Sequence, residues 1–219
     1  TAPAAQRAPR EPDPVDRMAE ALEPSREVVY KRIDGRDLHL VLFEPAGRKP
    51  GDRRACFVTI HGGGWSGLAP RRMYPFAADF ARRGMLGISV EYRLARTVTN
   101  GDAVVKVTPY DCVRDARSAL RYVRAHATDL GIDPHRIVAH GGSAGGHLAA
   151  ATALFDGYDE PGEDAAVSCV PDALVLLFPV IDTSTNGYGH ARLGERWREI
   201  SPLHHVRPGV PPTLIFHGT

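Results

Sequence analysis

The hydrophobic positions change period several times along the chain, and each change marks an element. Residues 27–33 and 38–43 are rich in β-branched and apolar side chains, with Asp34-Gly35 between them. Asp-Gly joining two such runs is a strong hairpin signal, so this pair is predicted to be antiparallel. Residues 55–60 (ACFVTI) form a continuous apolar run, as expected of a strand buried on both faces. A helical pattern over 72–83 follows, stopped by Gly84, and then a strand over 86–92 (LGISVEY). The clearest helix spans 109–129, where Val113, Ala116, Leu120 and Val123 share one face. Gly131 and the turn residues Asp133-Pro134 end it. A short strand over 136–139 (RIVA) leads into a helix after Ser143, with Ala144, Leu148, Ala151 and Leu154 as its expected buried stripe. Strands are predicted again at 173–178 and 212–216; between them, 186–206 is polar, His-rich and irregular. Two β-rich runs followed by β-α alternation imply an α/β fold: a mostly parallel sheet flanked by helices, with antiparallel first strands.

Composition narrows the classes without choosing among them. The chain has 219 residues, 43% hydrophobic and 24% charged, which fits one globular domain and excludes a wholly disordered or coiled-coil chain. The net charge of +1 gives no electrostatic footprint for nucleic acid. No apolar run reaches the about 18 residues of a membrane span. Cys56, Cys112 and Cys169 are far apart, with no metal-ligand spacing, so neither a zinc site nor a disulfide scaffold is indicated. Residues 1–14, rich in Ala, Pro and Arg, read as a disordered leader before a domain over 15–219. The start at Thr1 fits a cleaved secretory signal, so a secreted or periplasmic location is expected, with the cytoplasm as the alternative.

Chemistry concentrates in two glycine-rich segments, each directly after a buried strand. Gly141-Gly142-Ser143-Ala144-Gly145 matches G-x-S-x-G between a strand and a helix. A serine on so sharp a turn exposes its hydroxyl, and the residues two positions either side must be small where the strand and helix backbones meet. Ser143 is therefore the candidate nucleophile. His61-Gly62-Gly63-Gly64 ends the earlier strand, where glycines let backbone N–H groups approach a developing oxyanion. Gly63, Gly64 and Ala144 are the candidate oxyanion donors, with Gly62 as a further possibility. Both motifs lie at strand carboxyl ends, where open α/β sheets place their sites. Asp111 and Asp115 read as first-turn acids favoured by the helix dipole. His147, on the apolar helix face, reads as a packing residue.

His61-Gly62-Gly63-Gly64-Trp65, Glu91-Tyr92-Arg93-Leu94, the stretch 131–137 (GIDPHRI) and 142–147 (GSAGGH) occur in order. Together they resemble the α/β-hydrolase esterases of the hormone-sensitive-lipase type, above all bacterial acetyl-esterase and feruloyl-esterase-like members. The resemblance covers roughly residues 27–219. It implies an eight-stranded sheet and hydrolysis of short acyl esters, free or polysaccharide-linked, through an acyl-Ser143 intermediate, without a cofactor. It also implies that His61 is structural. Trp65 and Tyr92 are candidates for the substrate pocket, with core packing an equal alternative for Tyr92. In that family the order is Ser, then Asp or Glu, then His, so the triad acid and base, the last strand and its helices are expected beyond Thr219. An internal order of Ser143, Asp182 and His204 is formally available. Two other readings stay open: an amidase, formamidase or peptidase with the same nucleophile, and a catalytically incomplete hydrolase-fold binding protein.

Overall fold

The computed structural model describes residues 13–100 and 103–218. Residues 1–12 of the expected leader lie outside the described residues. Asp13 instead caps helix α1 (Pro14–Glu20), its carboxylate accepting the Val15 N–H at 2.9 Å. Asp13 supplies an acceptor that the first turn lacks, and Pro14 needs none.

Seven strands form the main sheet: β1 (Arg26–Ile33), β2 (Arg36–Phe43), β3 (Arg54–Ile60), β4 (Leu86–Val90), β7 (Ile132–Gly142), β8 (Ala173–Leu177) and β9 (Thr213–Phe216). Their order is β1-β2-β4-β3-β7-β8-β9. β1 pairs antiparallel with β2, and β2 with β4; every later pairing is parallel. Strands β5 (Thr97–Asn100) and β6 (Ala103–Lys106) form a separate antiparallel hairpin that the sequence reading did not anticipate. The resemblance implied eight main-sheet strands, and seven lie among the described residues.

Helix α2 (Tyr74–Arg82) packs one sheet face, where Ala77, Ala78 and Ala81 meet Val41 and Phe43. Helices α3 (Pro109–Ala125) and α5 (Ala144–Leu154) share the other face and the larger core. Between them lie the short α4 (Ala127–Leu130) and its left-handed cap Gly131. The predicted α3 stripe is buried throughout. The α5 stripe is too narrow a reading: every residue of that helix is buried. Its Ala- and Gly-rich sequence lets sheet, α3 and the 3-10 turn at Pro202–His204 approach it from different sides. Strand β7 also starts earlier than predicted. Arg54 pairs with Ile132 and Cys56 with Ile137, so Asp133-Pro134 forms a bulge inside the strand rather than a loop before it.

β3 continues to β4 on one side of the sheet, and β7 continues to β8 on the other. The carboxyl ends of β3 and β7 thus flank a topological switch point, where the diverging connections leave a crevice. Ile60 at the end of β3 pairs with Gly141 in β7, which sets the two glycine segments side by side.

Candidate active site

Ser143 occupies the turn from β7 into α5 with φ 55 and ψ −123. This is a strained conformation for a residue with a side chain, and its surroundings hold it there. The Ser143 N–H donates to the Leu177 carbonyl at 2.9 Å, and its own carbonyl accepts from His147 at 3.0 Å and Val180 at 3.2 Å. The small neighbours are required by space. A Cβ on Gly141 would fall 2.4 Å from the Gly145 carbonyl, and one on Gly145 would fall 2.1 Å from the Ile60 carbonyl. The turn, the helix start and the end of β3 are therefore in backbone contact.

The loop after β3 sits directly against this turn. A Cβ on Gly62 would lie 2.7 Å from the Gly142 carbonyl and 3.4 Å from the Ser143 Cβ. Gly63 (φ 98) and Gly64 (φ 59) follow in left-handed backbone. The N–H groups of Gly63 and Gly64 have no acceptor among the described residues, and Ala144, the first residue of α5, has no intrahelical one. Three open donors thus lie around a half-buried serine, two on the loop and one at the helix start. That arrangement suits an anion.

Both histidines nearest the site are structural. The Trp65 indole N–H donates to His147 Nδ1 at 3.3 Å, so the His147 Nε2–H donates to the Ile200 carbonyl at 2.7 Å. Both ring nitrogens are committed. Burial lowers the His147 pKa to about 4, against a smaller raising effect of that carbonyl, so the ring is neutral. His61 stacks on Tyr92 with ring centroids 4.3 Å apart, and its Nδ1 pairs with the Gly62 carbonyl at 2.9 Å. Burial holds it at about 4 as well.

Burial corrects Trp65, expected at the substrate pocket, and gives Tyr92 its alternative role in the core: they are 0% and 1% exposed. They brace the loop from behind. The Tyr92 hydroxyl donates to the carbonyls of His61 at 2.9 Å and Gly62 at 3.2 Å, fixing the peptides that precede the open N–H groups. The internal triad is not assembled either. The Asp182 carboxylate accepts from the Ser184 N–H and hydroxyl, which lower its pKa, and His204 Nδ1 pairs with Ser201 Oγ at 3.0 Å. Among the described residues no histidine hydrogen-bonds to Ser143.

Asp115 also departs from its expected role. It is fully buried, and its carboxylate takes the Arg93 backbone N–H and guanidinium at 2.9 Å and the Lys31 ammonium at 2.7 Å. Glu160 reaches Lys31 at 2.6 Å and Arg93 at 3.4 Å. This network anchors the segment that carries Tyr92. Asp111, by contrast, caps α3 as expected, with Thr108 as its capping-box partner.

Two residues absent from the sequence reading border the loop. The Tyr188 hydroxyl lies 2.7 Å from where a Cβ on Gly64 would be. Arg192, in α6 (His190–Leu193), donates to the Gly64 carbonyl at 2.5 Å and to Ser66 Oγ at 2.7 Å. The available signal was Gly187-Tyr188-Gly189: glycines flanking an aromatic residue permit close docking. All three cysteines are free and buried. No group of three or more His, Cys, Asp or Glu among the described residues is placed to hold a metal ion. No described helix is long and apolar enough to cross a membrane.

The chain is similar to known esterases. The probable carboxylic ester hydrolase LipM of Mycobacterium tuberculosis is 26% identical over 178 residues, covering 73% of this chain and 39% of LipM. Esterase LipQ of the same organism is 26% identical over 203 residues, covering 84% of this chain and 46% of LipQ. The chain therefore spans less than half the length of these two relatives. Esterase 2 of Thermogutta terrifontis, in its apo form, superposes with a TM-score of 0.79 at 42% identity, covering 88% of this chain and 71% of that one. The BD-FAE family model matches residues 42–185, which run from the end of β2 through both glycine segments and past β8. The chain belongs to the BD-FAE family of α/β-hydrolase esterases.

Proposed function

We propose that this chain carries the nucleophile and oxyanion site of a serine carboxylic ester hydrolase acting on short acyl esters. One observation carries the reading: the Gly62 α-carbon is packed against the Gly142 carbonyl beside Ser143, which sets the loop with its two open N–H groups next to Ala144 and one strained serine. Ser143 Oγ attacks the ester carbonyl carbon, and its proton passes to a histidine. The carbonyl oxygen becomes an oxyanion held by Gly63, Gly64 and Ala144, each such donor contributing about 2.7–4 kcal/mol in the transition state. Collapse breaks the C–O bond to the alcohol, which leaves with the proton. Water then releases the acyl group by the same steps. The family order of Ser, then Asp or Glu, then His places that histidine and its orienting acid later in the chain than Ser143.

Short acyl groups are favoured because the 40–42% identical Thermogutta esterase 2 has been seen with propionate bound and with butyrate bound. The same protein is phosphorylated by paraoxon. Acetyl or feruloyl groups on polysaccharides are the finer form of the proposal. The test is intact mass of the full-length protein after paraoxon, beside Ser143→Ala. One diethylphosphoryl adduct on the wild type and none on the variant is expected, with loss of p-nitrophenyl butyrate turnover. A wild type with neither adduct nor turnover supports the binding-protein reading instead, and faster turnover of the matching amide supports the amidase.

A further inference from the structure

The stretch from 186 to 192 bears on catalysis, given the ester-hydrolase reading above. It is docked on the glycine loop rather than merely near it. The Arg192 guanidinium donates to the Gly64 carbonyl and to Ser66 Oγ. The Tyr188 ring tilts against Trp65, with centroids 5.6 Å apart. The Tyr188 N–H donates to the Asp182 carbonyl at 2.9 Å. Both flanking glycines make this approach feasible: a Cβ on Gly187 would fall 2.0 Å from the Asp182 carbonyl, and one on Gly189 would fall 2.6 Å from the Trp65 ring. The Trp65 ring and the Tyr188 backbone bond to Asp182 fix where the phenol stands, and Arg192 ties the same stretch to the loop.

At its tip the hydroxyl reaches the Gly64 α-carbon on its open side, 2.7 Å from the position a Cβ would take. It makes no hydrogen bond among the described residues. The residue is 49% exposed, so the phenol is not enclosed by the described residues. A phenol that served only to pack would not need its polar end placed beside an open backbone donor.

We propose that Tyr188 is a further catalytic residue, its hydroxyl donating a hydrogen bond to the substrate oxyanion on the Gly64 side, and that Arg192 is its positioning residue. The phenol keeps its proton throughout. A phenol is a more acidic donor than an alkanol, so its bond strengthens as negative charge develops on the oxygen. Arg192 acts indirectly, by holding the Gly64–Trp65 peptide that both the phenol and the Gly64 N–H flank.

Tyr188→Phe in the full-length protein tests this with p-nitrophenyl acetate and butyrate. Removing a buried oxyanion donor lowers kcat by about 10²–10³, and for a donor this exposed about tenfold is expected, with KM within about twofold. Affinity for a trifluoromethyl ketone, which forms the tetrahedral adduct on Ser143, is expected to fall by the same factor as kcat/KM. The melting temperature is unchanged and the paraoxon adduct still forms. Wild-type kcat and inhibitor affinity in the variant overturn the assignment. So does a raised KM at unchanged kcat, which makes Tyr188 a pocket wall. If the wild type itself takes no paraoxon adduct, the esterase reading fails and this assignment falls with it; a labelled wild type beside an unaffected variant removes this assignment alone.

Discussion

Asp115→Asn is the sharpest test of how the site is supported. The carboxylate is fully buried, and its two cationic partners, Lys31 and Arg93, have side chains only 6% and 7% exposed. The substitution keeps the shape and removes the charge, so two cations remain in a low-dielectric interior, balanced among the described residues by Glu160, Asp34 and, more weakly, Asp111. Removing one partner of a buried ion pair costs about 3–5 kcal/mol, most of it the penalty on the charge left behind. For a domain of this size each kcal/mol lowers the melting temperature by about 2–4 °C, so a drop of about 6–20 °C is expected. Asp111→Asn is the internal control. It lies one turn earlier in the same helix and caps the N-terminus, and losing a cap costs about 1 kcal/mol. Thermal unfolding followed by circular dichroism on both variants separates the two accounts. If Asp115 acted only on the helix dipole, both variants would melt within a few degrees of wild type. An Asp115→Asn melt no lower than that of Asp111→Asn refutes the buried-network argument.

Two further outcomes follow from the packing and the histidines. Gly145→Ala places a methyl 2.1 Å from the Ile60 carbonyl and 2.7 Å from that of His61, so the loop and the serine must separate. A displacement of about 1 Å at a reacting group costs about 10²-fold in rate, and kcat for p-nitrophenyl butyrate should fall by that order while the protein remains folded. Turnover at the wild-type rate would show that the contact is not needed. Burial holds His61, His140 and His147 near pKa 4, below their ordinary 6.5. The unfolded chain therefore binds more protons than the folded one between these values, so stability is full above pH 6.5 and is lost as pH falls toward 4. Each ring contributes about 3 kcal/mol to that loss. Melting temperatures from pH 7.5 to 4.5 should fall steadily, and a flat profile from 7 to 5 contradicts the burial of neutral histidines.

The parts of the fold legible in the sequence are those whose cause is local. The antiparallel start follows from Asp34-Gly35, the α3 face from the spacing of Val113 to Val123, and the turn at Ser143 from flanking residues too small to collide. What was missed depends on partners distant in the chain. Asp115 reads as a cap until Arg93 and Lys31 arrive from elsewhere, and only a buried environment makes it a hub. Trp65 looks like a pocket aromatic because it adjoins a glycine segment, yet His147 draws it inward, and the His61 carbonyl holds Tyr92 in the core. The polar stretch 186–206 has no hydrophobic period, and its order comes from docking on the loop, α5 and Trp65. Tyr188 was invisible for that reason.

The two glycine segments meet only because Ile60 and Gly141, 81 positions apart, are neighbours across a parallel ladder. Parallel pairing of such remote strands is a slow, non-local event, since the intervening chain must be closed before any contact rewards it. No fragment short of that closure has both the serine and its donors in place. Folding intermediates with α3 or the β1–β2 hairpin already formed would thus be chemically silent, and recovery of activity during refolding would report the moment at which β3 and β7 find their register.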